Sequence, residues 1–318
     1  MPEIYFDNGA TTRVFPEVKE IMSEVLDIEY GNPSSMHLKG YHAEQYVNRA
    51  KEEIARSLKV EPKEIYFTSG GTEANNLALI GTAMAHKRTG KHIITSCIEH
   101  ASVYNPLGFL EEEGFEVTYL PVDEKGIVSL EALEKALRPD TFLVSIMCVN
   151  NEIGAVEPIE EIGRIVKKYN PEILFHTDCI QAYGKMKLFP NKWKVDMLSV
   201  SGHKIHGPKG IGFLYIKEGT KIKPIIWGGN QQKGMRSGTE NVPGIAGLGK
   251  AAELIYKDHK DKVTKLWEIK DHFRQRVMAE IPDVKDNSGE APHIASITFL
   301  GVRSEVLLHA LEEKGIYV

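Results

Sequence analysis

The chain has 318 residues, of which 42% are hydrophobic and 26% charged, and its formal net charge is −5. This composition is ordinary for a globular protein, and the length allows a sizeable core. The negative net charge excludes a general affinity for nucleic acid. No apolar run approaches the roughly 18 residues that a membrane span requires, and the start of the chain lacks the pattern of a signal peptide.

Three cysteines, Cys97, Cys148 and Cys179, show neither a CxxC spacing nor a metal-site pattern. We therefore predict no metal site. An odd and sparse count of cysteines fits the reducing cytoplasm. Each of the three lies in or at the end of an apolar run, so we expect three small buried thiols.

Short apolar runs alternate with helical patterns through most of the chain. Runs that are apolar on both faces and alternate with helices predict an α/β fold, with a mostly parallel sheet covered on both sides. The run 210–217 follows a tight turn, so it is expected to pair antiparallel. The other predicted strands are 64–69, 92–96, 115–122, 141–149, 172–178 and 196–201, and the predicted helices are 43–58, 73–88, 129–137 and 159–169.

Strand signals disappear from Asn241 to about Ile281, where the pattern is helical. A strand over 293–300 and a helix over 304–314 follow. We predict a large domain over residues 15–255 and a small α+β domain formed by 1–14 and 256–318. Because the last residues read as the first half of a strand, we expect that more sequence follows Val318.

The segment FTSGGTEANN begins at the end of a predicted strand and opens a helix at Thr72. Free N–H groups and the helix dipole make such a start an anion site, and Gly70 and Gly71 would let the backbone approach a phosphate. A plain helix cap at Thr72 explains the segment equally well. The motif is neither a Walker A loop nor GxGxxG.

Two charged residues, Asp178 and Lys204, each follow a predicted buried strand, where parallel sheets bind ligands. Asp178 is either a turn residue or a partner for a cationic group, and a desolvated lysine becomes a nucleophile toward carbonyls. With a phosphate on Gly71 and Thr72, the set suits pyridoxal phosphate, which needs a lysine Schiff base and a carboxylate at its ring nitrogen. His100 ends another strand and could stack on the ring.

Eight motifs spread over the chain carry a resemblance to a known family. The chain resembles the cysteine desulfurases of the NifS/IscS type, which are class V aminotransferase relatives among the fold-type I pyridoxal-phosphate enzymes. That fold has a large domain with a mostly parallel seven-stranded sheet and a smaller α+β domain. The motifs are YFDNGATT, GNPSSMH at 31–37, TSGGTEANN, IEHASV, VNNEIG at 149–154, HTDCIQAYGK, SGHKIHGPKGIG and GMRSGTEN at 234–241.

The resemblance implies roles for the residues around the cofactor ring. Lys204 would hold the cofactor as a Schiff base and later act as the base at the substrate α-carbon. His100 would stack on the ring and handle protons. Asp178 would pair with the ring nitrogen, Gln181 would hydrogen-bond the ring oxygen, and Asn151 would lie close to the ring and the substrate.

The resemblance also implies how the cofactor phosphate is bound. Gly71, Thr72, Ser201 and His203 would contact the phosphate within one subunit. Thr239 would reach the phosphate of the neighbouring subunit, which implies a homodimer with shared sites.

The implied activity converts L-cysteine to L-alanine and passes the sulfur, as an enzyme persulfide, to an iron–sulfur scaffold or another sulfur-acceptor protein. No nucleic-acid or membrane partner is expected. The family's sulfur-accepting cysteine and its substrate-binding arginine lie beyond the strand that begins at Gly315, so the printed chain is expected to bind the cofactor but to lack desulfurase activity. A class V aminotransferase, a selenocysteine lyase and a catalytically silent binding partner remain as alternatives.

Overall fold

A seven-stranded sheet forms the centre of the computed structural model, which describes residues 3–318. Its strands lie in the order β2-β8-β7-β6-β5-β3-β4, and only β8 runs antiparallel to its neighbours. The mostly parallel sheet and the antiparallel pairing of the strand after residue 210 are both confirmed. The strands are β2 (Ile65–Thr68), β3 (His92–Ser96), β4 (Glu116–Leu120), β5 (Thr141–Ser145), β6 (Leu174–Asp178), β7 (Met197–Ser201) and β8 (Gly212–Ile216).

Helices cover both faces of this sheet, as strands that are apolar on both faces require. Successive residues of one strand, such as Leu143 and Val144, belong to different apolar clusters because side chains alternate between the faces. The cluster around α3 and α4 covers one face, and the larger cluster covers the other. The helices up to this point are α1 (Pro16–Asp27), α2 (Leu38–Leu58), α3 (Gly71–His86), α4 (Ala101–Glu112), α5 (Leu130–Ala136), α6 (Ile159–Tyr169), α7 (Pro190–Trp193) and α8 (Val242–Tyr256).

The remaining elements follow a short break after α8. The predicted long helical stretch is divided in two, because Lys257 leaves the helix and Asp258 adopts a left-handed φ of 53°. Two small sheets follow, an antiparallel β9–β10 pair and a parallel pair of β11 with β1. The elements are β1 (Ile4–Tyr5), α9 (His259–Glu280), β9 (Val284–Asp286), β10 (Ile297–Phe299), α10 (Ser304–Glu312) and β11 (Ile316–Tyr317).

Two predictions about local structure are wrong. Thr72 is not a helix cap, since α3 already begins at Gly71 and Gly70 takes the capping position with a φ of 151°. Cys97 is exposed rather than buried, because β3 ends one residue before it. The other two cysteines are buried as expected, with exposed fractions of 1% for Cys148 and 0% for Cys179.

Candidate active site

A cavity of about 400 Å³ opens at the carboxyl ends of the parallel strands. Nine of the ten predicted site residues line it, although they come from segments that are far apart in sequence. Asp7, Gly9 and Ala10 near the start of the chain also contribute. The nine predicted residues are Gly71, Thr72, His100, Asn151, Asp178, Gln181, Ser201, His203 and Lys204.

Lys204 ends a short 3₁₀ turn that follows β7 directly. Its Nζ donates hydrogen bonds to the carbonyl oxygens of Gly9 and Ala10, at 2.5 and 2.8 Å. Burial lowers the pKa of this amine, while the charges of Asp7 and Asp178 act in the opposite direction. The result is a half-buried amine that loses its proton more readily than an exposed lysine.

Asp178 ends β6 and is almost fully buried, with 5% of its surface exposed. Its Oδ1 accepts a hydrogen bond from the N–H of Ile180 at 2.9 Å, and its Oδ2 accepts one from Asn75 Nδ2 at 2.7 Å. Burial raises the pKa of Asp178, whereas these bonds and the nearby His100 and Lys204 lower it. A buried carboxylate with no cation bonded to it is suited to receive one from a ligand.

A hydrogen-bonded chain joins Asp178 to His100 across the cavity wall. Asn75 Nδ2 also donates to Ser102 Oγ at 2.9 Å, and Ser102 Oγ lies 2.8 Å from His100 Nδ1. The N–H of Ser102 donates to the same ring nitrogen, so His100 caps α4 with its side chain. His100 Nδ1 is thereby occupied, which leaves Nε2 as the ring nitrogen available to a ligand.

The start of α3 and the end of β7 meet in the lining of the cavity. The N–H groups of a first helical turn lack partners within the helix, so they are free for an anion. A Cβ on Gly71 would lie 3.5 Å from Ser201 Cβ, which places the two residues side by side. Burial and the charge of Lys204 lower the pKa of His203 to about 4, so its ring is neutral at neutral pH. Thr72 is exposed at the same helix start.

Gln181 and Asn151 also line the cavity. Gln181 Nε2 donates to the carbonyl oxygen of Gly9 at 3.0 Å, and its Oε1 lies 3.1 Å from His293 Nε2. Asn151 Nδ2 donates to Glu152 Oε1 at 2.6 Å. The two amides therefore have different surroundings, one buried between partners and one on a turn.

Thr239 is the one predicted site residue that does not line the cavity of this chain. It lies exposed on the segment between Ser237 and Asn241. Its predicted role concerns the neighbouring subunit and stays a prediction. None of the three cysteines lines the cavity either.

Several residues that shape the site carried no predicted role. Asn75 has no exposed surface and contacts both Ser102 and Asp178. Asn75 could have been identified from the sequence, because it lies four residues after Gly71 and therefore on the same face of α3. His293 carried no such signal, because only the folded chain brings it to Gln181.

Comparison with known proteins assigns the chain that forms this cavity to a family. Residues 4–318 match the class-V aminotransferase family. The chain is 46% identical, over 319 residues, to a cysteine desulfurase IscS of Dictyoglomus turgidum, covering 99% of this chain and 80% of that protein. The chain belongs to this family. Within the class-V aminotransferase family it is one of the cysteine desulfurases of the IscS and NifS type, which depend on pyridoxal phosphate.

Other members of the class-V family agree with this placement. A NifS/IcsS protein homolog of Lactobacillus delbrueckii is 48% identical over 322 residues, covering 99% of this chain and 83% of that protein. A solved NifS-like protein superposes with a TM-score of 0.97 at 41% identity, covering 100% of this chain and 87% of that one. A structure described as SspA in complex with cysteine has a TM-score of 0.82 at 37% identity, covering 98% and 87%.

Proposed function

We propose that the chain is a pyridoxal-phosphate-dependent cysteine desulfurase that acts on L-cysteine. One observation carries the proposal most directly: a half-buried amine, Lys204, and a buried carboxylate, Asp178, line the same cavity of about 400 Å³. A relative's complex with cysteine supports the substrate assignment. The proposed overall reaction yields alanine and delivers the sulfur to an acceptor thiol.

The residues present fit the cofactor at each of its polar groups. Lys204 is the amine for its aldehyde, and Asp178 is a buried acceptor for the protonated ring nitrogen. The first turn of α3 at Gly71 and Thr72, with Ser201 and His203 beside it, is the proposed phosphate site. Gln181 is the proposed donor to the ring oxygen, and Asn151 is proposed to lie near the ring and substrate.

The bound cofactor supplies an electron sink for the negative charge that develops at the substrate α-carbon. Lys204, whose pKa is lowered by burial, would act as the base that removes the α-proton of the substrate. His100, whose Nδ1 is fixed by Ser102, presents Nε2 to ring and substrate and moves protons there. Asp178 would hold the proton on the ring nitrogen, because its Oδ2 accepts a hydrogen bond from a neutral amide, Asn75, rather than from a cation.

The sulfur-accepting thiol is not assigned to any of the three cysteines. Cys148 and Cys179 are buried, with exposed fractions of 1% and 0%, and burial further raises the pKa of Cys179. Cys97 is exposed but lies outside the cavity lining. A nucleophile for sulfur must both ionise and travel to the substrate.

We further propose a homodimer in which Thr239 reaches the partner's phosphate site, sulfur delivery to an iron–sulfur scaffold or another acceptor protein, and a cytoplasmic location. Three free thiols fit a reducing compartment. In the part of the chain that the structure describes, no helix is long and apolar enough to cross a bilayer. The proposed domains remain 15–255 and 1–14 with 256–318.

A test that does not need the acceptor thiol isolates the chemistry of Lys204. Protein loaded with pyridoxal phosphate should absorb near ~410–430 nm, as a lysine Schiff base does, and should exchange the α-hydrogen of L-cysteine or L-alanine with D₂O. Lys204→Ala should lose both the band and the exchange. An unchanged spectrum in Lys204→Ala would refute the assignment.

The control variant is Lys185→Ala, which removes a partly buried lysine whose Nζ donates to the carbonyl oxygen of Lys204 at 2.9 Å. It should keep the absorbance band. In a protein that includes the sulfur-accepting cysteine, alanine and sulfide formed from L-cysteine support the desulfurase, whereas transfer of the amino group to a keto acid would indicate an aminotransferase. A stable band without any exchange would indicate a structural cofactor.

A further inference from the structure

The amide of Gln181 lies between two partners that fix its orientation. On one side its Nε2 donates to the Gly9 carbonyl oxygen at 3.0 Å, and on the other its Oε1 lies 3.1 Å from His293 Nε2. A flipped amide would place its oxygen against the Gly9 oxygen, where two acceptors repel each other. The observed orientation therefore requires that His293 Nε2 carries the proton and donates it to Gln181.

His293 is held in the neutral form that this hydrogen bond needs. Burial, together with the charges of Lys185, Lys270 and Lys204, lowers its pKa to about 3. Its other ring nitrogen, Nδ1, is buried and has no hydrogen-bond partner among the described residues. A bare Nδ1 and a donating Nε2 describe a single tautomer of a neutral ring.

The segment that carries His293 is fastened to the wall of the cavity. Lys270 of α9 donates to the carbonyl oxygens of Gly289 and Ala291, at 2.6 and 2.7 Å. The N–H of Ala291 donates to the Gly154 carbonyl oxygen at 2.9 Å, in the turn that follows Asn151. These bonds fix the backbone beside His293, so its ring is a rigid donor.

We propose that His293 is a positioning residue for the cofactor, because its Nε2–H keeps the –NH₂ group of Gln181 turned toward the cavity. An amide nitrogen has two N–H donors. Gly9 takes one, and the other is free for the ring oxygen of pyridoxal phosphate. The inference rests on the proposed function, in which Gln181 contacts that oxygen, and it assigns His293 an effect on one atom of the cofactor.

A chemical comparison tests this effect without measuring turnover. The apoprotein is titrated with pyridoxal 5′-phosphate and with 3-deoxypyridoxal 5′-phosphate, which lacks the ring oxygen. His293→Leu should weaken binding of the first about fivefold, the value of one hydrogen bond, and leave binding of the second unchanged. His293→Gln keeps an N–H donor near the same place. It should therefore restore the difference in affinity between the two ligands that the unaltered protein shows.

The matched control is His259→Leu, which makes the same change at a nearby buried histidine, 8% exposed and stacked on Tyr256. It should affect both ligands equally. Equal weakening of both ligands by His293→Leu, or no effect on either, would overturn the proposal. If the unaltered protein binds neither ligand, the proposed function itself fails and the inference fails with it.

A measurement on the unaltered protein covers the case in which His293→Leu does not fold. The ¹⁵N NMR signals of the His293 ring should show a protonated Nε2 and a bare Nδ1 from pH 8 down to at least about pH 5, since the pKa of the ring is lowered to about 3. A proton on Nδ1 alone, or a charged ring at pH 6, would contradict the proposed donor.

Discussion

Glu99, next to the proposed catalytic His100, has a carboxyl group closed off from solvent. Its Oε1 accepts hydrogen bonds from Ser96 Oγ at 2.6 Å and from the N–H of Met147 at 2.9 Å, while its buried Oε2 has no partner among the described residues. Burial raises the pKa of Glu99 to about 8. The residue therefore keeps its proton in the folded chain at neutral pH and positions Met147, which lines the cavity.

This proton makes the stability of the fold depend on pH. The ordinary pKa of a glutamate is 4.5, so between about pH 4.5 and 8 only the unfolded chain has ionised Glu99. The contribution of Glu99 to the free energy of unfolding should therefore fall by about 1.4 kcal/mol for each pH unit across that range. In denaturant titrations, the free energy of unfolding of Glu99→Gln should increase relative to that of the unaltered protein as the pH rises from 5 to 8. A constant difference across this range would contradict the prediction, and the exposed Glu131→Gln is the control.

Asp178 should act on the cofactor rather than on the fold. Asp178→Asn keeps the side-chain shape but removes the charge, so the affinity for pyridoxal phosphate should fall about tenfold or more, as expected for a hydrogen bond to a charged group worth ~1.5–3 kcal/mol. The apoprotein should lose only about 1 kcal/mol of stability, the value of one hydrogen bond, because both Asp178 oxygens accept from N–H donors and an amide nitrogen cannot. Unchanged affinity in equilibrium titrations would contradict its role, and Asp140→Asn at the surface is the control.

The roles of single residues were predictable only where a motif carried them. Lys204 and Asp178 lie at strand ends, where parallel sheets commonly bind their ligands. Asn75 belongs to the motif TSGGTEANN, but its contacts could not be predicted, because its partners Ser102 and Asp178 lie 27 and 103 residues away in the sequence. His293 could not be found at all, because its contact with Gln181 depends on how a distant loop packs.

At the level of elements, the positions of strands and helices were predicted better than their ends. The seven sheet strands all lie within the predicted runs, but α2 begins at Leu38 instead of at residue 43. The side chain of His37 accepts a hydrogen bond from the N–H of Gly40 and caps the helix there. Histidine is not among the usual capping residues, so no residue at this place indicated a helix start.

The start of α3 gives a prediction for one element. A Cβ on Gly71 would lie 2.1 Å from Ile180 Cδ1, so Gly71→Ala should lower the free energy of unfolding by about 1–3 kcal/mol. Ile180→Ala in the same chain should recover part of this loss, because it removes the clashing atoms. Thermal denaturation measures both.

The control for Gly71→Ala lies in α4. Nothing lies within 4 Å of a Cβ on Gly108, so Gly108→Ala should stabilise the protein by about 0.5–1 kcal/mol through helix propensity. Equal effects of the two substitutions would show that the approach of Ile180 does not restrict Gly71.

For the whole molecule, the proposed homodimer has a candidate surface between residues 30 and 41. Four large apolar side chains are exposed there, with fractions of 71% for Tyr30, 105% for Met36, 75% for Leu38 and 55% for Tyr41. Exposed apolar residues grouped in this way are typical of association surfaces. The sequence predicted a dimer only through its resemblance to a family, because exposure is a property of the folded chain.

Sedimentation tests this surface. Met36→Asp with Leu38→Asp should weaken the dimer about tenfold or more, since charges at a buried interface are costly. Tyr169→Asp, at an exposed aromatic residue on α6, should leave the dimer intact. A protein that is monomeric at every concentration, or a dimer unaffected by the double change, would contradict the proposal.

The carbonyl oxygens of Gly9 and Ala10 receive the amine of Lys204, and Gly9 also receives the amide of Gln181. Backbone carbonyls persist whatever side chains the two positions carry, so evolution can vary their side chains as long as they fit and still keep these acceptors. Adding or deleting one residue between Asp7 and Thr12 has the opposite effect, because it moves both acceptors out of register. An insertion or deletion in this short segment should therefore disrupt the site more than a substitution does.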